Sequence, residues 1–158
     1  MIRPTRPDET AYLKEMARNT KVFKPLEIEA LQEVLDDYHK GMIHAGHYAV
    51  TYEHEGKPIG FAYYAPTPMT DRTWHLYWIF VDKITQAKGI GAKLLKHAEQ
   101  HITQLGGRIF IIETSSLPVY DLTRKFYFKH HYEQAAMVPD FYADGDGMVV
   151  FRKRLAPK

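Results

Sequence analysis

The sequence predicts a mixed α/β (α+β) fold in which helices cover both faces of one β-sheet. The length of 158 residues is typical of one domain, and a hydrophobic content of 45% is sufficient for a sizeable core. Along the chain the apolar residues change between helical and alternating spacing. The resulting order is a strand, two helices, a hairpin, and then β-α-β-α-β-β. No repeat or linker interrupts it, so residues 1–158 are interpreted as a single domain.

The N-terminal quarter is predicted to hold a short strand and two helices. Residues 2–4 fit an edge strand. A first helix is expected to start at Asp8, because apolar residues follow it at helical spacing. A second helix is expected to start at Pro25, a residue that favours the first turn, and to end near Gly41.

The middle of the chain changes to strand periodicity and back. Residues 48–64 alternate around the turn Glu55-Gly56, which indicates a hairpin. The apolar run 74–81 is short and rich in aromatic and branched residues, so it is interpreted as a largely buried strand. Residues 90–105 have near-helical spacing, and Gly106-Gly107 follow where a helix end is expected.

The C-terminal third is predicted to add a strand, a helix and two further strands. Residues 109–112 form the buried strand, and residues 132–138 and 148–154 form the last two. The segment 140–147 is interpreted as their turn-rich connection. The helix that opens at Pro118 is expected to place three apolar residues on one face, namely Val119, Leu122 and Phe126.

Composition excludes several classes of function. The net charge of +2 comes from mixed acidic and basic residues, which argues against a dedicated nucleic-acid-binding protein. Without cysteine, disulfides, zinc–thiolate sites and thiol catalysis are ruled out. The N-terminus has no signal-peptide run, and no stretch approaches the ~20 apolar residues of a membrane helix. A cytoplasmic protein with no membrane partner is expected.

The strongest functional candidate is the loop Gln86–Gly91, which lies between a predicted buried strand and an amphipathic helix. A helix N-terminus offers unpaired N–H groups and a positive dipole end to phosphate oxygens. Glycines at 89 and 91 allow close backbone approach, and Lys88 adds charge. A plain strand–helix turn is the alternative. Ala92 and Leu94 depart from the Walker and dinucleotide fingerprints, respectively.

Residues 81–95 resemble the GNAT superfamily of acetyltransferases, whose signature is Gln/Arg-x-x-Gly-x-Gly/Ala after the fourth strand. The resemblance continues through the strand from Ile109 and the segment Arg124-Lys125-Phe126-Tyr127. It implies a central mixed, mostly antiparallel sheet of six to seven strands flanked by about four helices. This chain departs from the family at His131-Tyr132, where Gly-Phe is frequent, and at Tyr120, where Asn is common.

The resemblance also implies an acetyl-CoA-dependent N-acetyltransferase that acts without a metal, with backbone groups binding the co-substrate. Ile79, Phe80 and Val81 would bind the pantetheine arm, as an added strand does. The pyrophosphate would be held by the backbone of Gln86, Ala87, Lys88, Gly89, Ile90, Gly91 and Ala92. Dimers are common in the family, so a homodimer is one expectation.

Two side chains are the candidate catalytic residues. By the resemblance, Tyr127 would donate to the leaving sulfur. A phenol of pKa about 10 against a thiol of about 8.5 favours hydrogen-bond donation over full proton transfer. Glu113 resembles a base used by some family members, and would take the amine proton directly or through water. The alternatives are a core tyrosine beside Phe126 and Phe128, and an exposed strand-end carboxylate.

The acceptor and the rival functions remain open at this point. The segment 139–146, with aromatic residues and three aspartates, is a candidate wall of the acceptor cleft, with Asp140 and Asp144 favouring a cationic amine; a polar hairpin connection is the alternative. The acceptor would be a small-molecule amine or an amine of a protein or peptide. A non-catalytic acyl-CoA-binding module and a nucleotide-binding protein are the rival functions. His97 and His101 have i, i+4 spacing but lack a third ligand, which favours a solvated helix face over a metal pair.

Overall fold

A computed structural model describes residues 1–83 and 89–156. Within these ranges, one seven-stranded sheet has the order β1-β2-β3-β4-β5-β7-β6. The strands are β1 (Ile2–Pro4), β2 (Tyr48–His54), β3 (Lys57–Pro66), β4 (Thr73–Val81), β5 (Ile109–Ser115), β6 (Glu133–Ala143) and β7 (Asp146–Arg154). The helices are α1 (Thr10–Asn19), α2 (Pro25–Lys40), α3 (Ile90–Gln104) and α4 (Asp121–Lys129). The predicted element order and sheet class are confirmed.

Neighbouring strands are antiparallel except for β4 and β5, which are parallel. The crossover between these two strands contains α3, as parallel neighbours require a long connection. Their register joins Thr73 to Ile109 and ends at Leu76 and Ile112, although both strands continue. The two strands therefore separate in the middle of the sheet.

Each face of the sheet has its own hydrophobic core. On one face, α1 and α2 pack against β2, β3 and β4 through a cluster that includes Leu13, Leu31 and Phe61, all fully buried. On the other face, α3 and α4 pack through a cluster that includes Leu94 and Phe110. Strand residues alternate between the two clusters, as the two-residue repeat of a strand requires.

Helix α3 approaches the sheet closely at Gly60 of β3. A Cβ at this position would lie 2.8 Å from Cδ1 of Leu94 and 3.1 Å from Cγ2 of Ile90. A side chain here would force the side chains of Leu94 and Ile90 to move. Gly60 thereby allows the start of α3 to pack closely on β3.

One sequence prediction in the C-terminal third is wrong. The segment 140–147 is mostly strand, because β6 extends to Ala143 and pairs there with Asp146, which leaves a two-residue turn. Of the apolar stripe predicted for the preceding helix, Phe126 packs against the core, while Val119 and Leu122 are 53% and 79% exposed. The buried residue of α4 is Tyr127.

The orientation predicted for the two α3 histidines is also wrong. His101 and the buried Tyr64 share a hydrogen bond of 2.7 Å from Nδ1 to the hydroxyl oxygen, and His97 is half-buried. Burial lowers the pKa of both imidazoles. Within the described ranges, no group of three or more metal-binding side chains is present, and no helix is long and apolar enough to cross a membrane.

Candidate active site

The candidate site lies where β4 and β5 separate. A β-bulge in β4 marks this point, because Tyr63 and Tyr64 of β3 pair with Trp78 and Leu76 and leave Tyr77 out of register. A bulge bends its strand and increases the local twist. Beyond it, the edge of β4 that faces β5 has no strand beside it in the described part of the chain. We call this opening the fork.

The fork leads into a cavity of about 640 Å³. Its walls come from β4 residues 76–81, β5 residues 112–115, the start of α2, and the segment that leads into α4. The predicted pantetheine-binding residues Ile79, Phe80 and Val81 all line it. An extended chain with amide groups fits such an edge, since backbone groups there can form strand-like hydrogen bonds.

The separated edge of β4 leads to the N-terminus of α3. Gly89 is the residue before the first helical turn and has φ of 71°, in the left-handed region that favours glycine. A Cβ on Gly89 would meet nothing within 4 Å, whereas one on Gly91 would meet Phe126 and Val81 at 3.6 and 3.7 Å. Gly89 is therefore required for its backbone conformation rather than for space, and a side chain at Gly91 would make only ordinary van der Waals contacts. Predicted residues Gln86, Ala87 and Lys88 lie outside the described residues.

The Tyr127 side chain is 3% exposed and lines the cavity. Its ring packs against Phe126, Tyr132 and Phe151, with centroids 5.4 to 5.9 Å away. No hydrogen bond joins its hydroxyl to any residue in the ranges 1–83 and 89–156. Burial raises the pKa of this phenol above its ordinary value of about 10, so the hydroxyl keeps its proton. The ring of Tyr127 is therefore part of the core, and its hydroxyl is a donor without a partner among the described residues.

Glu113 is the first β5 residue after the parallel pairing ends, and it also lines the cavity. Its Oε1 lies 3.0 Å from Nε2 of His75, and Nδ1 of His75 lies 2.6 Å from the Thr67 hydroxyl. A carboxylate only accepts, so Nε2–H donates to Glu113; in the neutral ring, Thr67 then donates to Nδ1. Glu113 is therefore an exposed carboxylate held by one neighbour, His75, whose ring is held in turn by Thr67.

A group of carboxylates lies at the end of the cavity formed by β5 and the N-terminus of α2. Asp146 is 4% exposed; its Oδ1 accepts from the Ser115 hydroxyl, and Nζ of Lys24 lies 3.5 Å from its Oδ2. Glu27 lines the same end, and its Oε1 accepts from the backbone N–H of Lys24.

Of the predicted acceptor wall 139–146, the residues that line the cavity are Tyr142 and Asp146. Asp140 instead accepts a hydrogen bond from the backbone N–H of Gly145, within the β6–β7 turn, and Asp144 is in the turn itself. Asp146 of the predicted segment thus lines the cavity, whereas Asp140 and Asp144 do not.

Several further residues at the site carry no signal in the sequence. Phe23, Trp78 and Glu27 line the cavity, and His75 contacts one of its lining residues, Glu113. Only Tyr120 carried a signal, because it replaces the Asn that is common in the family. Its hydroxyl donates to the carbonyl of Val22, 3.2 Å away, and so closes the cavity wall toward the connection between α1 and α2.

Comparisons with known proteins agree with this geometry. Residues 12–132 match the model of the acetyltransferase (GNAT) family. A crystal structure from Desulfovibrio desulfuricans, assigned to the GNAT acetyltransferases, has 30% identity and a TM-score of 0.94 over 99% of both chains. A search of curated proteins returned no match.

Two more distant structures share the fold alone. An aminoglycoside 6'-N-acetyltransferase complexed with coenzyme A has 17% identity and a TM-score of 0.77 over 100% of this chain and 98% of its own. The ribosomal-protein-S18-alanine N-acetyltransferase from Escherichia coli has 13% identity and a TM-score of 0.81, over 100% and 95%. The resemblance drawn from the loop motif is confirmed.

Proposed function

The chain belongs to the GNAT acetyltransferase family, and from this we propose that it transfers the acetyl group of acetyl-CoA to a primary amine by direct attack in a ternary complex. The observation that carries the proposal is the buried Tyr127, which lines a cavity that opens along the separated edge of β4 and whose hydroxyl has no partner among the described residues. An enzyme needs such a donor at the leaving group, whereas a protein that only binds acyl-CoA does not.

Acetyl-CoA fits the separated edge of β4 at the fork. The edge of β4 at Ile79, Phe80 and Val81 would bind the pantetheine amides, and the first amides of α3 from Gly89 to Ala92 would bind the pyrophosphate. Bound there, acetyl-CoA supplies an activated acyl group. The chain contains no cysteine, so a thioester acyl-enzyme is excluded and the amine must attack the thioester itself.

Tyr127 stabilises the charge that develops on the departing sulfur. Because burial raises its pKa, full transfer of its proton to a thiolate, whose conjugate acid has a pKa of about 8.5, is unfavourable. A hydrogen bond from a fixed donor in a dry cavity stabilises developing charge without that transfer. The aromatic contacts of the ring hold the hydroxyl in place.

Glu113 accepts the proton that the amine must lose. An aliphatic amine of pKa about 10.4 is mostly protonated at pH 7, and generating the neutral form costs about 4.6 kcal/mol. Glu113 stands where β4 and β5 separate, with His75 holding one carboxylate oxygen, so its other oxygen can receive the proton directly or through one water molecule. His75 is a positioning residue in this scheme.

Thiol release from acetyl-CoA, measured with a panel of primary amines, tests the proposal. Amine-dependent release, together with acetylated amine detected by mass spectrometry, supports an enzyme. Calorimetric binding of acetyl-CoA without turnover of any amine would instead support an acyl-CoA-binding module. No heat from either CoA or acetyl-CoA would refute both functions.

A further inference from the structure

The cavity has an excess of negative charge at the end away from α3. Its charged lining residues within the described ranges are three carboxylates and one ammonium, namely Glu27, Glu113, Asp146 and Lys24, which sum to −2. Tyr127 lines the same cavity, is 97% buried, and has a hydroxyl with no hydrogen-bond partner among the described residues.

The three carboxylates line the same cavity as the aromatic side chains of Tyr120 and Tyr142. Burial, followed by the charges of Glu113, Asp146 and Glu27, raises the pKa of Tyr142 to about 12. Burial, followed by the charges of Glu27 and Asp146, also raises the pKa of Tyr120. Both tyrosines are thus exposed to the negative charge of the cavity wall.

Contacts within the protein leave much of this negative charge available. The Lys24 ammonium reaches Asp146 at 3.5 Å, but its side chain is 55% exposed and makes a long contact. One oxygen of Glu27 accepts the Lys24 N–H, and one oxygen of Glu113 accepts from His75. Each of these two carboxylates has a second oxygen for which no hydrogen bond is found among the described residues.

A monoamine does not match this charge during the reaction. It enters with one positive charge but must lose that charge before it attacks, which leaves the carboxylates without a counterion. A second ammonium on the same molecule stays charged at pH 7 throughout, because its pKa is about 10.4. Phe23 and Trp78, with ring centroids 5.5 Å apart, line the same cavity and add aromatic faces that attract a cation.

We propose that the acceptor is a diamine or polyamine, and that Glu27 and Asp146 bind the ammonium group that does not react. This inference rests on the proposed function, with Glu113 taking the proton of the reacting amine. The reacting ammonium first loses one proton to Glu113, which passes it to solvent. The N–C bond then forms at the thioester carbonyl and the C–S bond breaks. CoA leaves as the thiolate to which Tyr127 donates a hydrogen bond, and the nitrogen loses its second proton to solvent. The charge of the second ammonium does not change.

The test compares three amines of equal chain length: 1,4-diaminobutane, 1-aminobutane and 4-aminobutanoate. We expect kcat/KM to fall in that order, with a gap of about tenfold or more between the diamine and the monoamine at constant ionic strength. Equal values for the diamine and the monoamine would overturn this inference alone. No turnover of any of the three, with acetyl-CoA bound, would overturn the proposed function as well.

Two variants locate the second ammonium. Glu27→Gln keeps the oxygen that caps α2, and Asp146→Asn keeps the acceptor for Ser115, so each removes mainly charge. Both should lower the ratio of diamine to monoamine kcat/KM by about tenfold. The control Glu29→Gln removes the same charge from an exposed position on α2 outside the cavity and should leave the ratio unchanged. If both cavity variants keep the original ratio of diamine to monoamine kcat/KM, the assignment of Glu27 and Asp146 is refuted. If Asp146→Asn does not fold, the result for Glu27→Gln alone tests the assignment.

Discussion

Replacing Tyr127 with Phe separates the catalytic role of this residue from its structural one. The substitution keeps the ring and its contacts with Phe126, Tyr132 and Phe151, and removes only the hydroxyl. Because the described residues offer that hydroxyl no partner, the free energy of unfolding should change by less than about 1 kcal/mol. Loss of one donor to developing charge should lower kcat about 100-fold, equivalent to about 2.7 kcal/mol of barrier.

The assay is thiol release at saturating acetyl-CoA, combined with thermal denaturation and calorimetric binding of CoA, all on the purified variant. Tyr132→Phe is the matched control, because its hydroxyl donates to Oε2 of Glu99 at 2.6 Å. That variant should lose about 1–3 kcal/mol of stability and keep its kcat. An unchanged kcat in Tyr127→Phe would refute the donor role, and a large loss of stability would show that the hydroxyl has a structural partner.

Three further substitutions test separate parts of the site. Gly89→Ala should raise the Kd of CoA about tenfold in calorimetry, because a non-glycine residue at φ 71° costs about 1–2 kcal/mol; an unchanged Kd would show that this conformation is not needed for binding. Glu113→Gln retains an acceptor for His75 but not the base, so kcat/KM for the amine should fall about 100-fold at constant CoA affinity; equal kcat/KM would exclude the base role. His131→Gly should raise the free energy of unfolding by about 0.5–1 kcal/mol in denaturant titration, because His131 has φ of 71°, which favours glycine. The family often has Gly at this position. A variant less stable than the original protein would contradict this account.

Sequence periodicity predicted the elements whose burial pattern repeats. The run 74–81 and the spacing 90–105 correspond to β4 and α3 within one or two residues. The prediction failed at 140–147, where Asp and Gly residues have the composition of a loop. Pairing of Ala143 with Asp146 extends the strand there, and this contact depends on the register of β6 against β7 rather than on local preference.

A site residue was predictable from the sequence where a local family motif surrounds it, as one does at Tyr127. His75 could not be found in this way. It pairs in register with Ile111, and Glu113 lies two residues further along β5, on the same face of the sheet. Their 3.0 Å contact follows only once the parallel pairing of β4 and β5 is known. Asp146 is a similar case, since its contact with Ser115 joins β7 to β5.

The exposed part of the predicted apolar stripe has a functional explanation. Val119 and Leu122 are exposed, and both line the cavity. An apolar side chain gains about 25 cal/mol for each Å² removed from water, whichever molecule covers it. A substrate bound in the fork would cover these side chains as a core does. The same helix turns Tyr127 inward, so α4 forms an apolar wall of the cavity and also fixes the donor at its base.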